Sequence, residues 1–393
     1  MNTKNGYGVS ILDDDLYKLS MQLAVIELFP DAHVTYRFTN RGEQKFTDQF
    51  VKDFRQLIEH NAEKVWVLQN DEYKWLKEKV PYFKPWYLEY LKNYRFDPNQ
   101  VKFNLTEDNN LFLEIDGLWR DTILWEVKLM SMISELYFKT VDTNWTFCAE
   151  DQGLMAAEKA MRLTNAGCVF SDFGTRRRRS YLTQDIVVGN MKKYDGFAGT
   201  SNVHLAMKHN VTPIGTYAHE FVQGNAVLES FQHANYYAMH NWSKVYSAQL
   251  GTALPDTFTT DQFLKNFNLR LAKLFDGVRH DSGDPFEFAD KIVAHYNKLR
   301  INPLYKTITF SDALNVDKAI EIKRYCENLI KCNFGIGTHF TNDFGRSKAL
   351  NMVIKLLTVN GCPVIKMSDC TGKITGSKEA LQFYQWIIAN HTK

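Results

Sequence analysis

The sequence lacks the cysteine patterns of disulfide-rich and zinc-binding proteins. Its 393 residues include six cysteines, and no two of these form a Cys-x-x-Cys pair. In a chain of this length, such wide spacing is typical of free thiols in a reducing compartment. The cysteines therefore favour a cytoplasmic protein and argue against a disulfide framework.

The sequence also lacks a charge imbalance. Lysine and arginine together number 47 and aspartate and glutamate 45, which leaves a formal net charge of +2. No long basic tract or acidic tail is present, so the overall charge does not indicate nucleic acid as the main partner. The exception is the short run of arginines from Arg176 to Arg179.

Long uncharged hydrophobic runs are missing as well. The longest apolar stretch, residues 122–138, contains Glu126, Lys128 and Glu135, and this pattern predicts an amphipathic helix rather than a membrane span. The N-terminus does not show the basic and then apolar pattern of a signal peptide. We therefore expect neither secretion nor a membrane partner.

Metal-binding spacings are absent from the sequence too. The pair His219-Glu220 is followed by Gln223 where a zincin has a histidine, and His204 and His209 are too far apart to share a helix face. We expect no dedicated metal site. The divalent ion that we do expect is magnesium bound through phosphate groups, which needs few protein ligands.

The most informative segment that is present covers residues 211–221. Residues 211–214 are apolar and β-branched, which predicts a buried strand of a parallel sheet, and Gly215 ends it. A helical pattern begins at about Phe221, so His219 is predicted to lie in a strand-to-helix loop near a helix N-terminus, where backbone N–H groups favour an anion. The histidine is placed to bind or carry phosphate, or else is a core histidine that contacts a backbone carbonyl.

The same arrangement, an apolar run closed by a small polar cluster, recurs along the chain. The clusters lie at residues 168–176, 196–202, 274–284, 307–312 and 334–338. Helix-like stretches lie at residues 202–208, 285–299 and 317–330. Strands alternating with helices predict βα units around a parallel sheet, and the loops after the strands of such barrels hold the chemistry.

The region before these units has a different pattern. Residues 33–39, 101–106 and 111–115 are predicted to form antiparallel strands. Helices are predicted at about residues 14–29, 47–60 and 120–138.

Seven short motifs along the chain resemble those of nicotinate phosphoribosyltransferases, which join nicotinate to a phosphoribosyl group in NAD salvage. They lie at residues 14–22, 173–177, 199–202, 215–220, 277–284, 311–312 and 335–338. A single short glycine motif is weak evidence, but the whole set in order is strong. The resemblance implies a ligase-type enzyme that consumes ATP.

The resemblance also implies the architecture. We expect an α/β fold with an irregular (β/α) barrel of the phosphoribosyltransferase kind and an N-terminal α/β sandwich domain. The sandwich is assigned to residues 1–145, joined by the tail at about 342–393, and the barrel with the active site to residues 146–341. Residues 363–369 are alternatively a last barrel strand.

Phosphoribosyl transfer requires cradled phosphates, a carboxylate near the ribose and a base held in line. Gly335, Gly337 and Thr338 suit the cradle, because glycines let backbone N–H groups approach a phosphate and Thr338 adds a hydroxyl. The resemblance implies that this loop holds the phosphoribosyl group. The alternative is a plain barrel turn.

A second polar cluster is expected to contact the ribose, the phosphates or magnesium. It comprises Asp281 as a catalytic carboxylate, Ser282, Gly283 and Ser311 as phosphoribosyl contacts, and Asp284 as a candidate magnesium ligand. Asp284 precedes Pro285, so its alternative role is that of a helix N-cap.

Nicotinate is a flat ring with a carboxylate. The resemblance assigns ring stacking to Phe173 and Tyr17, and carboxylate binding to Arg279 with help from Thr216. Arginine suits this role because its planar fork grips a carboxylate with paired hydrogen bonds. Tyr17 is expected to reach in from a neighbouring subunit of a homodimer, or else to be a core residue at helical spacing.

The arginine run directly follows Phe173-Gly174-Thr175. Four consecutive arginines usually form a solvated patch. At a barrel mouth, the first one or two arginines, and Arg176 in particular, are instead expected to neutralise pyrophosphate. Arg178 and Arg179 are expected at the surface or at an interface.

In the family, the histidine that corresponds to His219 is phosphorylated by ATP, and the phosphoenzyme favours mononucleotide formation. A phosphate adds charge and acceptors that reorder nearby loops. We expect ATP and Mg²⁺ as co-substrate and cofactor, and we expect Glu220 to orient the imidazole.

Two other classes of function stay open at this point. One is a related phosphoribosyltransferase for nicotinamide, which lacks the charge that Arg279 would bind, or for quinolinate, which needs a richer basic pocket. The other is a non-catalytic nucleotide-binding protein on the same barrel.

Overall fold

The computed structural model describes residues 8–390, which form two β-sheets and the helices that cover them. The first part of the chain contains α1 (Leu16–Leu28), β1 (His33–Asn40), α2 (Asp48–Lys64), α3 (Asn70–Lys79), α4 (Pro85–Asn93), β2 (Val101–Leu105), β3 (Leu111–Leu118), α5 (Trp119–Thr122) and α6 (Trp125–Thr140).

The middle of the chain alternates strands and helices. It contains α7 (Ala149–Asn165), β4 (Val169–Asp172), α8 (Tyr181–Met191), β5 (Phe197–Thr200), α9 (Val203–His209), β6 (Thr212–Pro213), α10 (His219–Leu228), α11 (Ala234–Tyr246), β7 (Thr252–Ala253), α12 (Thr260–Asn266), α13 (Leu269–Leu274), β8 (Gly277–His280), α14 (Pro285–Lys298), β9 (Thr307–Phe310), α15 (Val316–Tyr325), β10 (Lys331–Ile336) and α16 (Thr338–Thr341). The tail adds β11 (Met352–Val359), β12 (Cys362–Pro363) and α17 (Lys378–Asn390).

The first sheet is antiparallel, in the order β12-β11-β1-β3-β2. The predicted strands of the N-terminal region are confirmed, and the tail strand β11 pairs along β1 from Val34 to Asn40. The alternative of a last barrel strand at residues 363–369 is wrong, because β12 pairs with β11 in this sheet and no strand follows it as far as Asp369.

The second sheet consists of seven parallel strands in the order β6-β5-β4-β10-β9-β8-β7. Within the described part of the chain, the edge strands β6 and β7 do not pair with each other, so the barrel stays open on one side. The predicted α/β class with an irregular (β/α) barrel is confirmed. Domain boundaries near residues 145 and 341 stay a prediction, although the two sheets take their strands from separate parts of the chain as that division requires.

The carboxyl ends of the parallel strands bring several of the predicted residues to one edge of the sheet. Phe173 directly follows β4, Asp281 follows β8, Ser311 follows β9, and Gly337 follows β10. His219 lies in the connection between the two edge strands, where the barrel is open. The fold therefore places these side chains around a common opening.

Helix α6 differs from its prediction, because it is not amphipathic. Every residue from Trp125 to Phe138 is buried, including Glu126, Lys128 and Glu135. The Lys128 ammonium donates to three backbone carbonyls, and Glu126 forms ion pairs with cations of other elements. The charged residues of this helix are therefore buried and paired with polar groups, and they do not form a solvent-exposed face.

The second half of the arginine run also differs from its prediction. Arg178 and Arg179 are each only 1% exposed. Both terminal nitrogens of Arg178 donate to Asp13 at 2.7 Å, while Arg179 lies 3.6 Å from the centre of the Phe138 ring and donates to Asn342. These arginines are structural, since they connect the barrel to the N-terminal segment and to the tail.

We expect Arg178→Met to lower the free energy of unfolding by about 3–5 kcal/mol, because it leaves Asp13 buried without its cation. Burial favours the neutral form of Asp13, but Arg178 outweighs it and holds the pKa of that carboxyl below its usual value. Urea unfolding followed by circular dichroism measures the loss. The matched control is Arg162→Met, which breaks the exposed ion pair with Asp317 and should cost at most about 1 kcal/mol. Equal losses in the two variants would contradict the assignment.

The structure also bears on the expectations about the cysteines and about membrane spans. All six cysteines are free thiols. Among the described helices, none combines the length and the apolar character that crossing a bilayer requires.

Candidate active site

A cavity of about 970 Å³ opens between the carboxyl ends of the parallel strands and one face of the antiparallel sheet. Phe173 and Arg279 contribute to its barrel side, and Tyr36 and Leu356 to its sheet side. Single ligands commonly occupy cavities of about 300–1,000 Å³, so this one has room for two small substrates together.

His219 is the first residue of α10, whereas the sequence predicted a loop position just before the helix. Its Nδ1 lies 2.8 Å from the Thr257 hydroxyl, and its Nε2 lies 3.0 Å from Asp281 and 2.8 Å from the Lys366 ammonium. The side chain is 21% exposed and lines the cavity. The alternative of a core histidine bonded to a backbone carbonyl does not fit these side-chain partners.

The two contacts of Nε2 belong to two protonation states of His219. An ammonium can only donate, so the contact with Lys366 uses a lone pair on Nε2, whereas the contact with Asp281 uses a proton there. In the neutral imidazole that accepts from Lys366, Nδ1 carries the proton and donates to Thr257. In that tautomer the Nε2 lone pair is held by Lys366, which also lines the cavity, and it becomes nucleophilic when the ammonium moves to another acceptor.

Two carboxylates lie near Nε2. Burial favours the neutral form of Asp281, but Arg279 and His219 outweigh it and hold the pKa of Asp281 well below its usual value. The pKa of Asp256 is also lowered against the effect of burial, by His219 and Lys366. Both groups are therefore carboxylates at neutral pH.

This cluster is poorly suited to a dedicated magnesium ion. His219, Asp256 and Asp281 do offer ligand atoms within 4.8 Å of one another. However, the Lys366 ammonium lies 3.0 Å from Asp256 and contacts the same imidazole nitrogen, and Mg²⁺ prefers oxygen ligands.

Arg279 is held at the cavity wall by its neighbours. Its Nε donates to the Ser311 hydroxyl at 2.7 Å and its Nη2 to Asp281 at 2.9 Å. The Ser311 hydroxyl also lies 2.9 Å from Asp281. These contacts fix the guanidinium at a place where an anionic ligand in the cavity can reach it.

The aromatic part of the site depends on a glycine. A Cβ on Gly335 would lie 2.2 Å from two ring atoms of Phe173, so only glycine allows the ring to lie against β10. The side chains of Thr216 and Tyr17 line the same cavity, and the Tyr17 hydroxyl is buried with no hydrogen-bond partner among the described residues. Tyr17 belongs to the cavity of its own chain, so this residue requires no neighbouring subunit.

Three predicted contacts do not line the cavity. The Ser282 hydroxyl is buried and donates to Asp256 at 2.6 Å, and Gly283 is also outside the lining. Asp284 accepts hydrogen bonds from two backbone N–H groups of the first turn of α14. Asp284 is therefore the N-cap that the sequence offered as its alternative role. Gly337 and Thr338 do line the cavity.

Glu220 does not contact the imidazole, so the prediction that it orients His219 is wrong. Its Oε1 accepts hydrogen bonds from the Tyr36 hydroxyl at 2.5 Å and the Trp119 indole at 2.7 Å, and its Oε2 pairs with Lys18. Consecutive residues of a helix point in different directions, which separates Glu220 from its neighbour.

Sequence reasoning missed several residues of the site. Asp256 and Thr257 lie in a short 3-10 helix, Asp256–Phe258, and Lys366 lies in a loop of the tail; all three are outside the seven motifs. Of the three, only Lys366 lies in a segment that the sequence analysis considered, the apolar run at residues 363–369. Four cations line the cavity and form no ion pair among the described residues: Arg41, Arg177, Lys348 and Lys355. Of these, only Arg177 was anticipated, as part of the arginine run.

Of these cations, Arg41, Arg177 and Lys355 lie near one another and give one wall of the cavity a positive charge. Burial, together with the charges of Arg41 and Lys366, lowers the pKa of Lys355 to about 8. Burial and the neighbouring Arg176 and Arg41 lower the pKa of Arg177 to about 10. Cations that repel one another without carboxylate partners are arranged for a polyanionic ligand.

Comparisons with known proteins agree over nearly the full chain. The family model described as the nicotinate phosphoribosyltransferase (NAPRTase) family matches residues 168–385, and the model of its N-terminal domain matches residues 12–134. The nicotinate phosphoribosyltransferase of Methanococcoides burtonii is 49% identical over 394 residues, which cover 96% of this chain and 97% of that protein. The one from Chromohalobacter salexigens is 42% identical over 387 residues, with coverages of 97% and 98%.

A solved structure is similarly close. The crystal structure of nicotinate phosphoribosyltransferase from Porphyromonas gingivalis matches with a TM-score of 0.93 and 38% sequence identity. The match covers 97% of this chain and 99% of that chain.

Proposed function

The chain belongs to the nicotinate phosphoribosyltransferase family, and we propose that it couples its reaction to ATP hydrolysis through a phosphorylated His219. The reaction joins nicotinate and 5-phosphoribosyl 1-pyrophosphate to give nicotinate D-ribonucleotide and pyrophosphate. The protein is thus an enzyme of pyridine nucleotide biosynthesis.

The observation that carries the coupling is the environment of His219. Its Nε2 faces the cavity with Lys366 at 2.8 Å, while Nδ1 carries the proton and donates a hydrogen bond to the Thr257 hydroxyl. In the proposed step, the Lys366 ammonium moves from Nε2 to the γ-phosphate oxygens, which frees the Nε2 lone pair. The lone pair then forms a bond to the γ-phosphorus of ATP, and the bond from that phosphorus to the bridging oxygen breaks. ADP leaves with the electron pair, and water later hydrolyses the phosphohistidine to phosphate.

The positive wall of the cavity supports a polyphosphate beside His219. Arg41, Arg177 and Lys355 would neutralise the phosphates of ATP or of the phosphoribosyl donor. Arg176 also lines the cavity, in keeping with its proposed contact to pyrophosphate. Arginine and lysine stabilise charge that develops on a leaving phosphate group.

Magnesium fits this proposal as a partner of the phosphates. The carboxylate of Asp281 offers oxygen donors at the cavity, and Mg²⁺ commonly binds through one or two carboxylates and the substrate phosphates. When bound, it would neutralise charge on the leaving pyrophosphate.

The base is proposed to lie between the aromatic side chains and Arg279. The ring of Phe173 and the side chain of Tyr17 offer apolar faces, and the Arg279 guanidinium, with Thr216 nearby, offers donors to the carboxylate. This arrangement favours nicotinate over the neutral nicotinamide. In the transfer, the bond from the anomeric carbon to pyrophosphate breaks and a bond to the ring nitrogen forms.

A homodimer, which rests on the family resemblance, and a cytoplasmic location, which rests on the free and widely spaced cysteines, belong to the same proposal.

The experiment that tests the coupling measures nicotinate mononucleotide formed from nicotinate, 5-phosphoribosyl 1-pyrophosphate and Mg²⁺, with and without ATP. We expect ATP to raise the initial rate and to drive the ratio of product to substrate beyond the value reached without it. ATP hydrolysis with no change in that ratio would contradict the coupling. No mononucleotide under any condition would contradict the transferase reaction itself.

Lys366→Met is expected to reduce the stimulation by ATP by about 10- to 100-fold, because it removes the ammonium that would form a charge-assisted hydrogen bond, worth about 1.5–3 kcal/mol, to the transferring phosphate group. Initial rates over a range of ATP concentrations measure the effect. The matched control is Lys306→Met, which removes another largely buried lysine whose ammonium donates to the Phe275 carbonyl, away from the cavity. Full stimulation of the Lys366 variant would show that this ammonium does not act on His219.

A further inference from the structure

A fully buried lysine lies behind the part of the cavity lining that contains Glu126, Arg176 and Glu220, which we call the cavity floor. Lys18 of α1 has no exposed side-chain surface, and its ammonium forms ion pairs with Glu126, at 2.6 Å, and with Glu220. Both carboxylate residues line the cavity, whereas Lys18 does not. The ammonium therefore neutralises the floor from the side that no ligand reaches.

The two glutamates have further partners on the floor. Oε1 of Glu126 lies 3.3 Å from Nη1 of Arg176, which also lines the cavity. Oε1 of Glu220 accepts from Tyr36 and Trp119, whose neutral groups add no charge. The cations Lys18 and Arg176 thus balance the charges of Glu126 and Glu220, so these four side chains are neutral as a set.

Lys18 keeps its charge despite its burial. Burial opposes the ammonium, but Glu126 and Glu220 outweigh burial and raise the pKa of Lys18 above its usual value. The pKa of Glu126 shifts in the opposite direction. Burial would raise the pKa of Glu126, but Lys18 and Arg176 hold it below its usual value.

The cluster also connects the two halves of the site. Lys18 and Glu126 come from α1 and α6, whereas Glu220 follows His219 on α10. Through Glu126, the same ammonium influences Arg176, whose guanidinium lies 6.0 Å from the centre of the Tyr17 ring. Loss of Lys18 would leave the carboxylates to repel each other and to draw Arg176 away from the cavity.

We propose that Lys18 is a positioning residue that keeps the cavity floor neutral and so permits an anionic base to bind. The inference rests on the proposed use of nicotinate, whose carboxylate is anionic. Without Lys18, the floor carries one unbalanced negative charge, which repels the nicotinate carboxylate and leaves neutral ligands unaffected.

The test compares the KM for nicotinate in three variants. For Lys18→Met we expect a KM raised by about 10- to 100-fold with a smaller change in kcat, the size of effect that one unscreened charge produces at close range. For the double variant Lys18→Met/Glu220→Gln, in which the floor is again neutral, we expect a KM within about threefold of the wild type. The matched control Lys128→Met removes another fully buried ammonium, and we expect it to change stability without raising this KM.

A double variant as impaired in KM as the single variant would overturn the proposal, and so would a Lys128 variant with the same rise. Should Lys18→Met not fold, the double variant decides alone, because its buried charges balance: a KM near that of the wild type supports the proposal, and a rise of more than tenfold overturns it. The wild type is measured first. Failure of the wild type to use nicotinate refutes the proposed function, whereas normal turnover with no charge rescue refutes only the role of Lys18.

Discussion

Replacing His219 with alanine is expected to abolish the stimulation of mononucleotide formation by ATP. The variant retains no nitrogen that can accept the γ-phosphate at this position, while Arg279 and Asp281 keep their mutual hydrogen bond at 2.9 Å. The rate without ATP is expected to fall by about tenfold, or about 1.4 kcal/mol of transition-state free energy, because Asp281 loses one partner. Initial rates with and without ATP, at saturating nicotinate, measure both effects.

The control for this variant is His204→Ala. His204 contacts the Tyr181 hydroxyl at 3.0 Å and does not line the cavity. Its stimulation by ATP should equal that of the wild type. Stimulation that persists in the His219 variant would mean that ATP acts at another residue or by binding alone.

Gly335→Ala is expected to reduce kcat/KM by about 10²-fold, because a misplacement of about 1 Å at a reacting centre has an effect of that size. The added Cβ would lie 2.2 Å from the Phe173 ring, so the ring must move into the cavity. We expect a higher KM for nicotinate and a lower kcat, since the ring both contacts the base and sets its angle. Steady-state kinetics of the purified variant give the two constants.

Two comparisons sharpen this prediction. Gly372→Ala adds the same group where no atom lies within 4 Å, so it should leave kcat/KM unchanged. In a Phe173→Leu background, Gly335→Ala should add little further loss, because the ring that it displaces is already gone. Full additivity of the two losses would contradict a direct effect of the glycine on the ring.

The parallel sheet could be predicted from the sequence because most of its strands are β-branched or apolar runs closed by glycine and polar residues. Strands β4, β5, β8, β9 and β10 follow this pattern. Strand β7 was missed because it has only the residues Thr252–Ala253, too few to show any periodicity. The contribution of the tail to the first sheet was expected, yet its register with β1 depends on contacts more than 300 residues apart in the sequence.

Much of the site was predictable because its residues follow strands. Phe173, Arg279, Asp281 and Ser311 sit at or just beyond strand ends, so a prediction of parallel strands already gathers them at one edge. Lys366 could not be found in this way. It reaches His219 from a loop of the tail, 147 residues further along the chain, and no local pattern marks such a contact.

The charged residues were the least predictable part. Arg178, Glu126 and Glu220 look like surface or catalytic residues in the sequence, but each is buried against a partner from a distant element. Single-sequence patterns assume that a charge faces solvent, since burial of an unpaired charge is costly. Only the fold brings Asp13 and Lys18 to the places where they remove that cost.

The measurement that tests the central claim most directly is the transfer of labelled γ-phosphate from ATP to the protein, with the labelled residue located by peptide mapping. The account predicts an acid-labile label on His219 that is absent from His219→Ala and is discharged when nicotinate and 5-phosphoribosyl 1-pyrophosphate are added. A label on another residue, or a label on His219 that the two substrates leave in place, would contradict the coupling of ATP hydrolysis to phosphoribosyl transfer.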